Sequence, residues 1–196
     1  MTSPAETRRR IVQASIRLFA QQGVGATTTK HIAAEARIAE GTIYRHFPSK
    51  EAMADAIFLE HYLPFADALQ ARLRGAGTAG ARIAGLVGHF YEAFDRDRDL
   101  FSYLLLGPRG ATMRLPVGTV TPISVLRGVI ASARVEVGGG FPPGDDGLVT
   151  AIVLGMILQP AESVALGEEK GPLAERAAVV VAAIGRVLGL DAGAAP

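Results

Sequence analysis
Cysteine is absent from this 196-residue chain, which excludes disulfides, thiolate metal sites and cysteine redox sensing together and fits a reducing cytoplasm. Lysine is scarce, three residues against seventeen arginines. No alternation of apolar and polar residues is long enough to predict a strand, and no repeat recurs at a solenoid period. The apolar run from Leu148 to Leu158 is broken by Thr150 and Gly155; it reads as a soluble core helix too short to span a bilayer, so no membrane partner is expected. The first twenty residues spread Glu6, Arg8, Arg9, Arg10 and Arg17 through a helical pattern, without an uninterrupted apolar core or a small-residue cleavage site, so no secretion signal is read there.

Catalytic signatures are missing too. There is no P-loop, no G-x-S-x-G and no H-E-x-x-H. His89 and Glu92 form an isolated H-x-x-E step without a second ligand pair, and no metal site or cofactor is expected. Gly75 to Gly80 reads GAGTAG and formally matches G-x-G-x-x-G. That fingerprint needs a strand entering and a helix leaving, whereas this one follows the helical, charged QARLR; it reads as a linker.

What is present is an uneven distribution of charge. The whole chain carries a net charge of +1, but residues 1 to 50 hold eight Lys or Arg against three Glu, a surplus of five, and the remainder holds twelve against sixteen, a deficit of four. A basic head facing phosphates on an acidic body would show this split.

Residues 28 to 53 give that head a shape. Ile32, Ala33 and Ala36 share one helical face, the pattern breaks over Arg37 to Glu40, and a second helix is predicted from Glu40 to Phe47. This short helix turns Ile43 and Phe47 inward and leaves Thr42, Tyr44, Arg45 and His46 outside, the layout of a helix-turn-helix whose second helix fits a major groove. A first helix is expected from Pro4 or Ala5 to Gln22, stopped by Gly23, with Thr27 and Thr28 able to cap the next. Ser49 caps a long fourth helix, whose phase, Phe58, Tyr62, Phe65, Leu69 and Leu73, survives Pro64 and so predicts a kink instead of an end. Further helices are predicted near 81–96, 98–106, 120–137, 146–167 and 172–189, with loops at Gly107 to Gly118 and Gly138 to Gly147. The predicted fold class is all-α with about nine helices: a three-helix helix-turn-helix domain over 1–53, a helical domain over 54–190, and a flexible tail, 191–196.

TTTKHIAAEARIAEGTIYRHFPSKEAM resembles the N-terminal domain of TetR/AcrR-family transcriptional regulators. The likeness rests on the threonine opening helix two, Ile32-Ala33 with Ala36, Gly41, Ile43-Tyr44, His46-Phe47 and Lys50. It implies a third helix in the major groove and a helical body that binds a ligand and dimerises. It further implies that Tyr44, His46 and Lys50 contact phosphates, as does Thr28 or Thr29 from the start of helix two, where free N–H groups favour an oxyanion. Base reading falls to Lys30, Glu40, Thr42 and Arg45: the cations can donate to guanine, Glu40 can accept from cytosine N4, and Thr42 can meet a thymine methyl. Gly41 lets the backbone approach the duplex. Blander roles stay open: Tyr44 can pack on helix one, His46 can end its helix, and Thr42 and Arg45 can be solvated. Ile32, Ala36, Ile43 and Phe47 are assigned to the core.

Two positions depart from the family pattern, Arg37 where glycine is usual in the turn and Ala39 where serine is usual. A left-handed residue with a Cβ costs roughly 1 kcal/mol, and a lost serine cap about as much. A less stable recognition helix is expected, with Arg37 available as an added phosphate contact. The same resemblance implies a homodimer through the helices at 146–167 and 172–189 on a palindromic double-stranded DNA operator, and a small lipophilic or aromatic effector that moves the fourth helix near Pro64. Candidate pocket residues are Phe58, Tyr62, Phe65, Phe90, Tyr91, Phe94, Phe101, Tyr103, Met113, Met156 and Gln159, although their spacing is also what a helical core requires and favours core packing for any one of them. A repressor is the preferred reading, with an activator or a protein-controlled regulator as the alternative and an enzyme disfavoured.

Overall fold
The computed structural model describes residues 3–107 and 115–190, so Met113 and the tail at 191–196 lie outside the described residues. Nine α-helices and no strand are present among the described residues. They are α1 (Pro4–Ala26), α2 (Thr29–Glu35), α3 (Glu40–Ile43), α4 (Lys50–Leu73), α5 (Ala79–Arg96), α6 (Arg98–Phe101), α7 (Pro122–Val137), α8 (Asp146–Leu166) and α9 (Ala177–Leu188).

The packing divides the chain into two compact units. The first runs to Tyr62 and also takes in a segment starting at Asp99; the second comprises Leu63–Arg98 and resumes at Leu115. This differs from a division at 53 and 54, because α6 and the residues after it pack with the N-terminal helices. Tyr103 donates its hydroxyl to the Ala54 carbonyl at 2.7 Å and brings its ring to 5.5 Å from Phe19. The segment at 98–106 also changes form midway: α6 is followed by a π-helical stretch, Ser102–Leu106, which no periodicity in the sequence announces.

In the first unit, Ser3 caps α1 by accepting from the Glu6 N–H at 3.1 Å, and Pro4 follows where a missing N–H costs nothing. Ile11, Ala14, Ile16 and Phe19 are buried, and the helical path breaks at Gly23 (φ 77°, ψ 163°) before a last turn to Ala26. Ser49 caps α4 through the Ala52 N–H at 3.0 Å. The helix continues through Pro64, as the apolar phase requires, although Pro64 cannot donate to the Glu60 carbonyl.

The second unit is built around α5, whose Ile83, Leu86, Val87, Phe90 and Phe94 are all buried and which packs on α7, α8 and α9. Thr78 caps α5, and Thr121 with Ser124 forms a reciprocal capping box on α7. Asp95 accepts from the Leu173 and Ala174 N–H groups, both at 2.9 Å, and so ties α5 to the 3-10 turn that precedes α9. α8 turns Val149, Val153, Ile157, Ala161 and Val164 inward. It is also continuous through Gly155 and Pro160 over 21 residues, and with a mean hydropathy of 1.7 in its most apolar window it is long and apolar enough to cross a membrane by length and composition. That corrects the reading of this run as too short.

His89 on α5 is half-buried, with Nε2 3.2 Å from the Phe65 carbonyl and its ring 4.6 Å from that of Phe65. Burial pushes its pKa below the usual histidine value; the bond to the Phe65 carbonyl and the charge of Glu92 oppose this, while Arg72 and Arg96 reinforce it. The unfolded chain therefore takes up the proton more readily than the native one. This contribution to stability is complete above about pH 6.5 and is lost as the pH falls below it. Thermal melts between pH 7.5 and 5 should show a falling midpoint, with a shallower fall in His89→Gln.

Candidate nucleic-acid interface
The head is assembled from local capping. Thr28 caps α2 by accepting from the His31 N–H at 3.2 Å, which leaves its own hydroxyl proton available. α2 ends in a Schellman motif: the Arg37 N–H reaches the Ala34 carbonyl at 3.1 Å, and the Ile38 N–H reaches the Ala33 carbonyl at 3.0 Å. Arg37 holds the left-handed position at φ 52°, the sole non-glycine residue with positive φ among the described residues. The expected strain at this turn is present.

α3 is shorter than predicted. It spans four residues, Glu40–Ile43, and tight i→i+3 bonds carry Arg45 and His46. Ala39 makes no side-chain cap, and Gly41 lowers helix propensity within a single turn. The Phe47 N–H still reaches the Ile43 carbonyl at 2.9 Å, so the inward register is kept: Ile43 is fully buried and Phe47 is 5% exposed.

The outer face gathers most of the proposed DNA-facing residues. Thr28, Lys30, Arg37, Glu40, Gly41, Tyr44 and Arg45 are exposed, and Thr29, Thr42 and His46 are half-exposed. Tyr44 is 53% exposed, against the alternative of packing on α1. The start of α2 and α3 are linked, because the Thr29 hydroxyl donates to Glu40 Oε1 at 2.6 Å and lies 3.4 Å from the Tyr44 hydroxyl.

Charge on this head is less available than composition suggests. Arg8 forms a two-pronged pair with Glu60, at 2.7 and 3.3 Å, and covers the Phe47 ring at 5.4 Å. That pairing pulls the Glu60 carboxyl below its usual pKa. Arg9 pairs with Glu6, Arg17 with Glu35, and Arg10 donates to the Ala36 and Arg37 carbonyls. Lys30, Arg37 and Arg45 make no ion pair among the described residues.

Lys50 is placed differently from the other residues expected to face DNA. Its ammonium donates to the carbonyls of Val24 at 2.7 Å, Gly25 at 3.3 Å and Thr27 at 2.8 Å, and its side chain is only 19% exposed. All three donors are engaged, so it staples the α1–α2 connection to α4. Lys50→Met should cost about 1–3 kcal/mol in urea denaturation, because it strands several carbonyls. The salt dependence of DNA binding should not change; a slope lower by about one would restore the phosphate role.

Residues 11–57 match the model of bacterial regulatory proteins of the tetR family. The match covers the head and leaves the helical body outside it. The same head is 52% identical over 48 residues to an uncharacterized HTH-type transcriptional regulator, YerO, of Bacillus subtilis, covering 24% of this chain and 17% of that protein. A second relative is the HTH-type transcriptional repressor KstR2 of Mycolicibacterium smegmatis, 34% identical over 95 residues, 48% of this chain and 44% of the relative. The chain thus spans less than half the length of these curated relatives. Solved structures share the whole fold. A tetR-family regulatory protein from Rhodococcus RHA1 matches with a TM-score of 0.73 at 22% identity, over 93% of this chain and 97% of that one. FadR of Bacillus subtilis, in complex with stearoyl-CoA, matches at 0.68 and 17% identity, over 92% and 98%.

The helical body places the expected pocket residues in several surroundings. In the first unit, Phe58 stacks on Tyr62 at 4.5 Å and meets Tyr103 edge-on at 6.3 Å; these three and Phe101 are buried. In the second unit, Phe90, Tyr91 and Phe94 are buried, and the half-buried Phe65 meets Phe90 edge-on at 5.2 Å. Met156 and Gln159 instead line an open groove with Pro160, Ser163, Val179 and Val180, because the buried stripe of α8 runs along its other face. The structure does not bring these two to the aromatic cluster, which corrects their grouping. The Tyr91 hydroxyl and the His61 Nε2 are buried without a hydrogen-bond partner among the described residues. Burial pushes the Tyr91 phenol up to about 12. His61 was missed by sequence reasoning; its signal was a polar residue set three after Phe58 and four before Phe65, beside the apolar stripe.

Proposed function
We propose that this chain is a transcriptional repressor and not an enzyme: a cytoplasmic homodimer that reads a palindromic operator and leaves it when a small lipophilic or aromatic molecule binds the helical body. The observation that carries the reading is the outer face of α2 and α3, where Lys30, Arg37 and Arg45 have no ion pair among the described residues and stand beside Thr28, Gly41 and the exposed Tyr44. In this assignment Thr28, Thr29, Arg37, Tyr44 and His46 position the head on phosphates, and Lys30, Glu40, Thr42 and Arg45 read bases.

One short reading helix covers too few base pairs for specificity, so two heads are needed. The exposed apolar residues Leu148 and Ile152 on α8 and Val179 and Val187 on α9 supply a self-complementary surface that a second copy would cover. This accounts for a long apolar helix that is only 33% buried in its most apolar window, with no membrane needed. For the effector, Tyr91 offers a hydroxyl without a partner among the described residues, within an aromatic, apolar unit. The effector must bind the DNA-released state better than the bound one, since only differential affinity shifts the balance. The name of the related repressor and the stearoyl-CoA held by FadR support a repressor with a lipophilic effector.

Footprinting on the DNA flanking the gene for this chain, with sizing of the protein at low concentration, tests the reading. Two protected half-sites related by a dyad, bound by a dimer, are expected. An asymmetric footprint from a tight-binding monomer would overturn the dimeric reading, and a footprint unmoved by any of a panel of lipophilic compounds would remove the effector.

A further inference from the structure
Arg10 of α1 is not part of the exposed reading face, and nothing in its sequence setting separates it from its neighbours Arg8 and Arg9. The structure gives it a distinct task. A single nitrogen, Nη2, donates both its protons across the connection between helices, to the carbonyl of Ala36 and, at 3.0 Å, to that of Arg37. Ala36 is the C-cap of α2, and Arg37 is the left-handed residue that follows it. These carbonyls lie at the negative end of α2, where the last C=O groups lack intrahelical partners. Two turns further along α1, Arg17 grips the same end of α2 through Glu35 at 2.6 Å, and both arginines line one groove with Gln13, Glu35 and Arg37.

We propose that Arg10 is a positioning residue for DNA reading: its clamp on the two carbonyls holds the left-handed turn that Arg37 adopts only with strain, and thereby sets α3 at the angle it presents to the duplex. This rests on the DNA-binding reading above. A glycine at position 37 would adopt φ 52° without the Cβ penalty and would keep the turn by its own preference. With arginine there, and with no cap from Ala39 to hold the start of α3, the turn has two local reasons to open. The donating Nη2 lies one bond further from the backbone than a lysine Nζ would, so a lysine at position 10 falls short of the two carbonyls.

A double-mutant cycle separates this role from simple charge. Arg10→Ala should weaken operator binding about tenfold in the native background and less than about threefold when Arg37→Gly is also present, each compared at one salt concentration. Because the cycle compares the effect of Arg10→Ala within each background, any phosphate interaction that Arg37→Gly removes cancels. Arg10→Lys, which keeps the charge, should behave like the alanine variant. Equal losses in both backgrounds, or full affinity in Arg10→Lys, would overturn the proposal. Amide exchange gives a second readout that needs no DNA: the Arg37 and Ile38 N–H groups should exchange faster in Arg10→Gln and recover in Arg10→Gln with Arg37→Gly, while amides of α5 stay unchanged. If the native chain binds no duplex, the DNA-binding reading fails, and with it the positioning role; unchanged exchange at Arg37 and Ile38 in a chain that does bind DNA overturns the clamp alone.

Discussion

Gly41→Ala should make the protein more stable and its hold on DNA weaker. Gly41 is exposed inside α3, its φ is not positive, and a Cβ built on it would meet nothing within 4 Å. Nothing among the described residues requires a glycine there. Alanine should therefore raise stability by about 0.5–1 kcal/mol, because glycine loses more backbone freedom on forming a helix. In the proposed reading, the missing side chain leaves room for a duplex whose backbone comes close to α3. A methyl group in that gap should lower operator affinity about ten- to hundredfold, the scale of one or two mismatched base pairs. Urea denaturation and fluorescence anisotropy at fixed salt measure the two effects. Added stability with unchanged affinity would remove Gly41 from the interface.

Phe58→Ala carries the largest expected loss of stability. The ring is fully buried, stacked on Tyr62 and edge-on to Tyr103, and all three belong to the unit that carries the reading head. Truncation should cost about 3–5 kcal/mol through reduced burial and an incompletely closed cavity. That is a large part of the 5–15 kcal/mol or so that holds a domain together. The size of the effect also chooses between two roles for this residue. A loss of only about 1 kcal/mol, together with an altered effector response, would make Phe58 a pocket wall and not part of the core.

The helical layout was readable because its determinants are local. Apolar stripes such as Ile83, Leu86, Val87, Phe90 and Phe94 recur at the helical period and are buried as expected. Ser49 caps the helix that it was expected to cap. The left-handed turn at Arg37 and the uncapped start of α3 at Ala39 were expected from the resemblance, as departures from its usual glycine and serine. Misplaced features have a different origin. α3 was expected to reach Phe47, because the inward pair Ile43 and Phe47 fits a helix or a tight turn equally well, and only the hydrogen bonds distinguish them. Met156 and Gln159 were grouped with the aromatics by residue type, while the side of α8 on which they fall was set by Val149, Val153 and Ile157.

The sequence by itself determined an all-α chain, a helix-turn-helix near its start and the inward and outward faces of the reading segment, since these depend on neighbours within about one helical turn. Only the tertiary structure decided which cations face solvent. Arg8, Arg10, Arg17 and Lys50 meet partners 18 to 52 residues away, and the ammonium of Lys50 ended on three backbone carbonyls. Long charged side chains choose partners by distance in space, and no local pattern encodes that choice. For the same reason Tyr91 could be named as aromatic from the sequence, but its buried hydroxyl, without a partner among the described residues, became visible only once the helices around it were packed.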